Sequence, residues 1–384
     1  MPRIFTVKKE DASKLLDFTK GIAILLIMFH HFSRSIWLSQ GLLPPLDLQW
    51  NFYPMGERYT AVAATAHAGS YSDLCVRLMA QFGYVGVHLF VLISGLGLAL
   101  GTAETSTIGP FMKRRICKIV PPFWLAIAYF SILAAVVGQP FSVGVIFERM
   151  FMLTTFDQRQ FFIIDSPMWC LAVFFQLYLI FLPLRKLIVR VGPISLLPLA
   201  AIGFAARWIA GLPSVVRWDE FFGHTMVFNW LFVFGLGIWI GTKLRQDGEI
   251  RFPLWTVSAL PLAATGVLIL SEKFHSVYPI HDSVIGLVMG VVAFYVWQAA
   301  RGTPVASVLA VVGAISFPLY LYHRPLVSYA TNIWCLAPSI DRMPPLQLGI
   351  FLVPAILLLF LMIPRIVYFR KQAFAMIFAL LSLH

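Results

Sequence analysis

The chain runs to 384 residues, of which 59% are hydrophobic and 12% charged, with a mean hydropathy of +0.83 and a net charge of +12. A soluble chain carries roughly a quarter charged residues, so a soluble enzyme is excluded and a polytopic membrane protein is expected. The basic surplus sits beside apolar runs rather than in a soluble patch; it reads as topology signal and contact with the lipid bilayer, with no nucleic acid as partner.

Apolar runs near the length that crosses hydrocarbon, about 20 residues, fall at 18–37, 82–101, 119–138, 167–185, 193–212, 227–243, 253–271, 283–300, 307–333 and 346–367. They predict an all-α fold of about ten transmembrane helices. Lys8, Lys9 and Lys14 precede the first run and no small-residue cleavage site follows it, so a retained helix is expected, not a signal peptide. With the N-terminus inside, roughly two thirds of all Lys and Arg fall in inner segments, which predicts that both termini are cytoplasmic. The stretch 38–81 then lies outside, long enough to form a lid or an acceptor surface, or simply a partly ordered loop. A single membrane domain is expected over 1–384, its spans within about 15–370. The apolar stretch from Ala373 to Leu383 is too short to span and reads as part of a tail over 371–384.

The first run carries Lys20 and His31. Ionisable groups inside a span are costly, so each needs a reason. Eleven residues make close to three helical turns, which puts both side chains on one face roughly 16 Å apart. That face suits a long substrate held at two ends. His30 points about 100° away, so His31 is the better candidate. Two plainer readings stand beside this one: Lys20 snorkelling to the interface, and His31 paired to a neighbouring helix for packing.

Next in the chain come His88 and Ser94-Gly95, inside the run from Gly83 to Gly97, where small residues permit close helix approach. Lys113-Arg114-Arg115-Ile116-Cys117-Lys118 then precedes Pro121-Pro122. Arg115 and Lys118 are i and i+3 on one helical face, a pair that suits phosphate, although flanking charge alone is an alternative. Trp169, Gln176 and Tyr178 follow, and later Ser316, Tyr320, Tyr322, His323 and Arg324. Singly, each reads as packing or interfacial belt. The four cysteines (Cys75, Cys117, Cys170 and Cys335) lack CxxC spacing, so no metal site or disulfide framework is expected, with a Cys75–Cys335 bridge left open.

Taken in order, these segments resemble the integral-membrane acyltransferase family 3. Leu16-Asp17-Phe18-Thr19-Lys20-Gly21, then ten residues from Lys20 to His31, is similar to the family's opening signature. Gly86 to Gly95 is similar to its GVxxFFVLSG segment. Arg115-x-x-Lys118 with Pro121 and Trp124 matches its RxxRIxPxYW run. Trp169 to Tyr178 matches WxLxxExxxY in part, and Ser316 to Pro325 matches SxxLYLxHxP. Two departures stand out: Lys118 replaces the second arginine, and Phe174 stands where the family carries a glutamate.

The resemblance implies an acyl-CoA-dependent O-acyltransferase acting on a carbohydrate or cell-surface glycan, with acetyl as the default acyl group. No tightly bound cofactor is implied; acyl-CoA is the co-substrate. Lys20, Arg115 and Lys118 would hold the phosphates of acyl-CoA and His31 would serve as general base, with an acyl-histidine intermediate as a second route. Ser94, Tyr178 and His323 are candidates for the oxyanion donor; Asp17, Trp169 and Tyr320 complete the supporting set. A bacterial inner membrane is the implied setting. The rival reading is a transporter or flippase of a polysaccharide or lipid-linked substrate, against which stand the lack of repeat symmetry and the few acidic residues inside spans. Nothing in the sequence sets an oligomeric state.

Overall fold

Small residues decide how closely the helices of this protein approach, as expected where apolar burial gives no drive for helices to associate. A computed structural model describes residues 4–39, 83–136, 141–153, 169–210, 225–253 and 281–323, with a few isolated positions besides. Its helices are α1 (Ala12–Ser39), α2 (Val85–Gly101), α3 (Ile108–Val136), α4 (Val143–Met150), α5 (Trp169–Val191), α6 (Leu196–Ala210), α7 (Leu231–Asp247), α8 (His281–Ala300) and α9 (Pro304–Ala314). A last helix, α10 (Ser316–His323), follows α9 after a bend of 64°.

At the crossing of α1 and α9, a methyl group on Gly21 would overlap the Leu309 carbonyl, and one on Gly313 would overlap that of Asp17. The two backbones therefore touch, and the Asp17–Lys20 turn is fixed against α9. Gly95 of α2 and Gly237 of α7 make an equivalent contact. Around these crossings the core gathers Phe18, Leu92, Leu96, Phe181, Phe234 and Ile238, all buried. Large apolar side chains such as Leu125, Ile132, Leu179, Leu197 and Val311 face outward, as a hydrocarbon surround requires.

Among the described residues, 88% are helical, so the all-α expectation holds. Four helical stretches (Ile108–Ile132, Trp169–Ile209, Val227–Asp247 and Ser283–Ala300) are long and apolar enough to cross a membrane, or five with the bent pair α9–α10. The expected spans 253–271 and 346–367, the loop 38–81 beyond Ser39, the tail at 371–384 and the Cys75–Cys335 pair lie outside the described residues.

Two features refine the sequence reading. A short antiparallel ribbon pairs β1 (Ile4–Lys8) with β2 (Glu249–Pro253), Thr6 opposite Arg251. Gly248, left-handed at φ 78°, ends α7 and turns the chain into β2, a role glycine fills without steric cost. Val7 tucks into the core from this ribbon, which brings the segment before α1 to the same end of the bundle as the end of α7. At that end, Arg185 of α5 and Arg245 of α7 both donate to the Thr102 carbonyl, at 2.9 and 2.5 Å. Cations at a helix C-terminus answer its unpaired carbonyls.

The second refinement is the bend at Ile315. Pro318 has no N–H, and its ring cannot pack against the carbonyl four residues back, that of Ala314. An uninterrupted span over 307–323 is thus prevented, and α10 turns off as a separate helix. The turn brings His323 onto α1.

Candidate active site

His31 and His323 are 292 residues apart in sequence, yet their rings lie 5.0 Å apart and His31 Nδ1 is 2.9 Å from His323 Nε2. The second ring is held from behind: its Nδ1 faces the carbonyls of Tyr320 at 2.8 Å and Leu319 at 3.2 Å. Carbonyls only accept, so His323 Nδ1 carries the proton. In the neutral pair His323 Nε2 then accepts from His31 Nδ1–H, and the lone pair of His31 sits on Nε2. A backbone contact thus fixes the tautomers of both rings. His323 is buried and His31 half-buried.

His30 lies on another face of α1. It is buried with its ring 6.3 Å from Tyr84, and Tyr84 leads on to His88 at 6.0 Å and Trp230 at 5.0 Å from His88. Trp169 stacks obliquely on Trp230 at 5.9 Å. An aromatic wall therefore extends from the histidine pair to the start of α5.

Three turns back along α1, Lys20 pairs with Asp17 at 2.8 Å, both about a third exposed. Lys118 of α3 feels the charges of Arg115, Lys20 and Asp17, so the three cations anticipated from sequence gather on one side of the bundle. The Arg115 guanidinium lies over Phe111 at 5.3 Å and over Tyr178 at 6.0 Å. Its Nε is buried with no hydrogen-bond partner among the described residues. Rings beneath a guanidinium steady it while leaving its donors directed elsewhere.

Between the two ends, Ser94 and Tyr178 interact through their hydroxyls. Tyr320 is buried beside the Cys170 thiol, and its ring is 5.9 Å from that of His323. Phe174, at the position where a glutamate was anticipated, packs on Tyr178 at 6.1 Å. Gln176 does not supply a substitute carboxylate: its amide donates to the Thr225 carbonyl at 2.8 Å and accepts from Val227 N–H at 3.0 Å, stapling α5 to the segment before α7. Among the described residues, no cluster of three or more metal-ligating side chains is present.

A comparison with protein families matches residues 14–364 to acyltransferase family 3, described as an acyltransferase domain. The chain belongs to acyltransferase family 3. It is a membrane acyltransferase, and the match runs from the first turn of α1 through α10. Comparisons with curated proteins and with solved structures find no match.

The sequence did not single out Cys170 as the neighbour of Tyr320, nor Arg185 and Arg245 as a clamp. Both needed contacts across elements. The one local signal was Pro318, whose position predicts a break four residues earlier.

Proposed function

We propose that this family member transfers an acyl group, acetyl by default, from acyl-CoA to a hydroxyl of a carbohydrate or cell-surface glycan, with neutral His31 as general base. The observation that carries the proposal is the His31–His323 hydrogen bond backed by two carbonyls. It supports a base with a defined lone pair, on the same helix face as a cation cluster about 16 Å away.

Coenzyme A is long and anionic at one end. Lys20, Arg115 and Lys118 suit its phosphates, Arg115 through a fork of donors and the lysines as point charges. Asp17 pairs with Lys20 and keeps the cluster from carrying three unbalanced charges. His31 Nε2 takes the acceptor hydroxyl proton as that oxygen attacks the thioester carbonyl. The C–S bond then breaks, and the proton on His31 goes to the departing thiolate. Throughout, His323 accepts from His31 Nδ1–H and steadies the imidazolium. An acyl-histidine route would use the same nitrogen as nucleophile. Aromatic rings beside the histidines, Tyr84 and Trp169 half-exposed among them, suit the apolar face of a sugar ring. Acyl-CoA is a substrate here, with no tightly bound cofactor. A bacterial inner membrane is the setting that matches a cytoplasmic donor and an outward acceptor.

The test uses purified protein in nanodiscs. Acetyl-CoA at 100 times its dissociation constant should stabilise the fold by about 2.7 kcal/mol, and label from acetyl-CoA should move to at least one member of a glycan panel. Neither stabilisation nor CoA release would overturn the donor assignment and favour a transporter of the glycan instead.

A further inference from the structure

Acyl transfer needs a hydrogen-bond donor for the oxygen that becomes negative as the thioester carbonyl is attacked. Three side chains suggested by the sequence are already engaged. Ser94 and Tyr178 interact with each other. The single N–H of neutral His323 is spent on the Tyr320 and Leu319 carbonyls, while its other nitrogen accepts from His31.

Tyr320 is different. Its residue is 7% exposed and its hydroxyl is buried with no hydrogen-bond partner in good geometry among the described residues. The side chain its hydroxyl interacts with is the Cys170 thiol, a weak acceptor. A buried hydroxyl left without an acceptor is destabilising, and such a group is commonly explained by a role that arises only with a ligand present.

Its position fits one role. Tyr320 is one turn before His323, with rings 5.9 Å apart. Tyr320 also meets Cys170, which lies about two turns before Tyr178 on α5, and Tyr178 lies under the Arg115 guanidinium. A continuous series of side chains thus joins the histidine pair to the cation cluster, and Tyr320 stands at the histidine end of it. An acyl-CoA anchored at Arg115 and reaching toward His31 must bring its carbonyl into this interval.

Resting on the acyl-CoA reading above, we propose that the Tyr320 phenol is the oxyanion donor of this enzyme. As the acceptor oxygen forms its bond to the carbonyl carbon, the π electrons move to the carbonyl oxygen, which accepts the Tyr320 O–H. When the tetrahedral adduct collapses, the carbonyl re-forms, the C–S bond breaks and the thiolate takes the proton held on His31. Tyr320 keeps its own proton from start to finish.

The experiment compares wild type with Tyr320→Phe in nanodiscs, measuring acetyl-CoA turnover, KM for acetyl-CoA and thermal stability together. Loss of one oxyanion donor should lower kcat by about 10²- to 10³-fold. KM should stay within about threefold, because the ground-state carbonyl gains little from the bond. The melting temperature should hold or rise, because the phenylalanine removes an unsatisfied hydroxyl. A second variant, 3-fluorotyrosine at position 320, keeps the shape and offers a more acidic phenol, so it should retain wild-type kcat or exceed it. Turnover of Tyr320→Phe within twofold of wild type overturns the proposal, as does a fluorotyrosine variant as slow as the phenylalanine one. A lower melting temperature with proportionate loss of active protein assigns the hydroxyl to structure and also overturns it. Wild type that releases no CoA removes the donor reading itself, an outcome distinct from an active wild type with an equally active Tyr320→Phe.

Discussion

The two ends of the Lys20–His31 face of α1 are built to different tolerances. At one end His31 meets His323 through a short hydrogen bond, and the second ring is pinned by carbonyls one turn behind it. At the other end Lys20 and Arg115 are half-buried, Lys118 is exposed, and Asp17 pairs directly with Lys20. On the proposed reading, the difference follows from what each end would handle. Proton transfer succeeds only across a defined heavy-atom distance, so its partners are locked. A phosphate presents several equivalent oxygens, and flexible cations satisfy it in many arrangements.

From that contrast, substitutions at the two ends should damage different kinetic constants. His31→Ala should have the largest effect, a fall in kcat of about 10²- to 10⁴-fold with protein that still inserts and melts normally. His323→Ala should lower kcat by about 10- to 100-fold, the usual cost of losing a partner that orients a working ring; His323→Gln, which retains an acceptor, should recover part of it. Arg115→Ala should raise KM for acyl-CoA by about 10- to 100-fold, the cost of losing hydrogen bonds to a charged group, and leave kcat within about threefold. Lys118→Arg should have the smallest effect, because charge is kept and the family's own fork is restored. A large kcat loss from Arg115→Ala would break the division of labour.

A double-mutant cycle of His323→Ala with Arg115→Ala sharpens the same contrast. Sites this far apart should add within about 0.5 kcal/mol in kcat/KM. Strong coupling would mean that the two ends act through one shared element.

Much of this arrangement was legible in the sequence, for identifiable reasons. A fixed helical period turns the spacing of Lys20 and His31 into a shared face, and the i, i+3 rule does the same for Arg115 and Lys118. Costly polar groups within apolar runs marked Ser94, Tyr178, Tyr320 and His323. The pairings themselves were not legible. That His323 meets His31 depends on the break imposed by Pro318 and on the backbone contact at Gly21 and Gly313. The β1–β2 ribbon joins two five-residue strands separated in the chain by all of α1 to α7, too short to register beside the long helical runs. The Arg185–Thr102 clamp was hidden because a cation flanking a span looks the same from sequence whether it meets lipid or a carbonyl.

The most direct measurement is release of CoA from labelled acetyl-CoA in a single turnover, by wild type beside His31→Ala, each confirmed to be folded and inserted. The account predicts release and label transfer by wild type and a loss of at least about 100-fold in the variant. Equal release by the two proteins would show that the chemistry does not run through His31, and the account would fail at its centre.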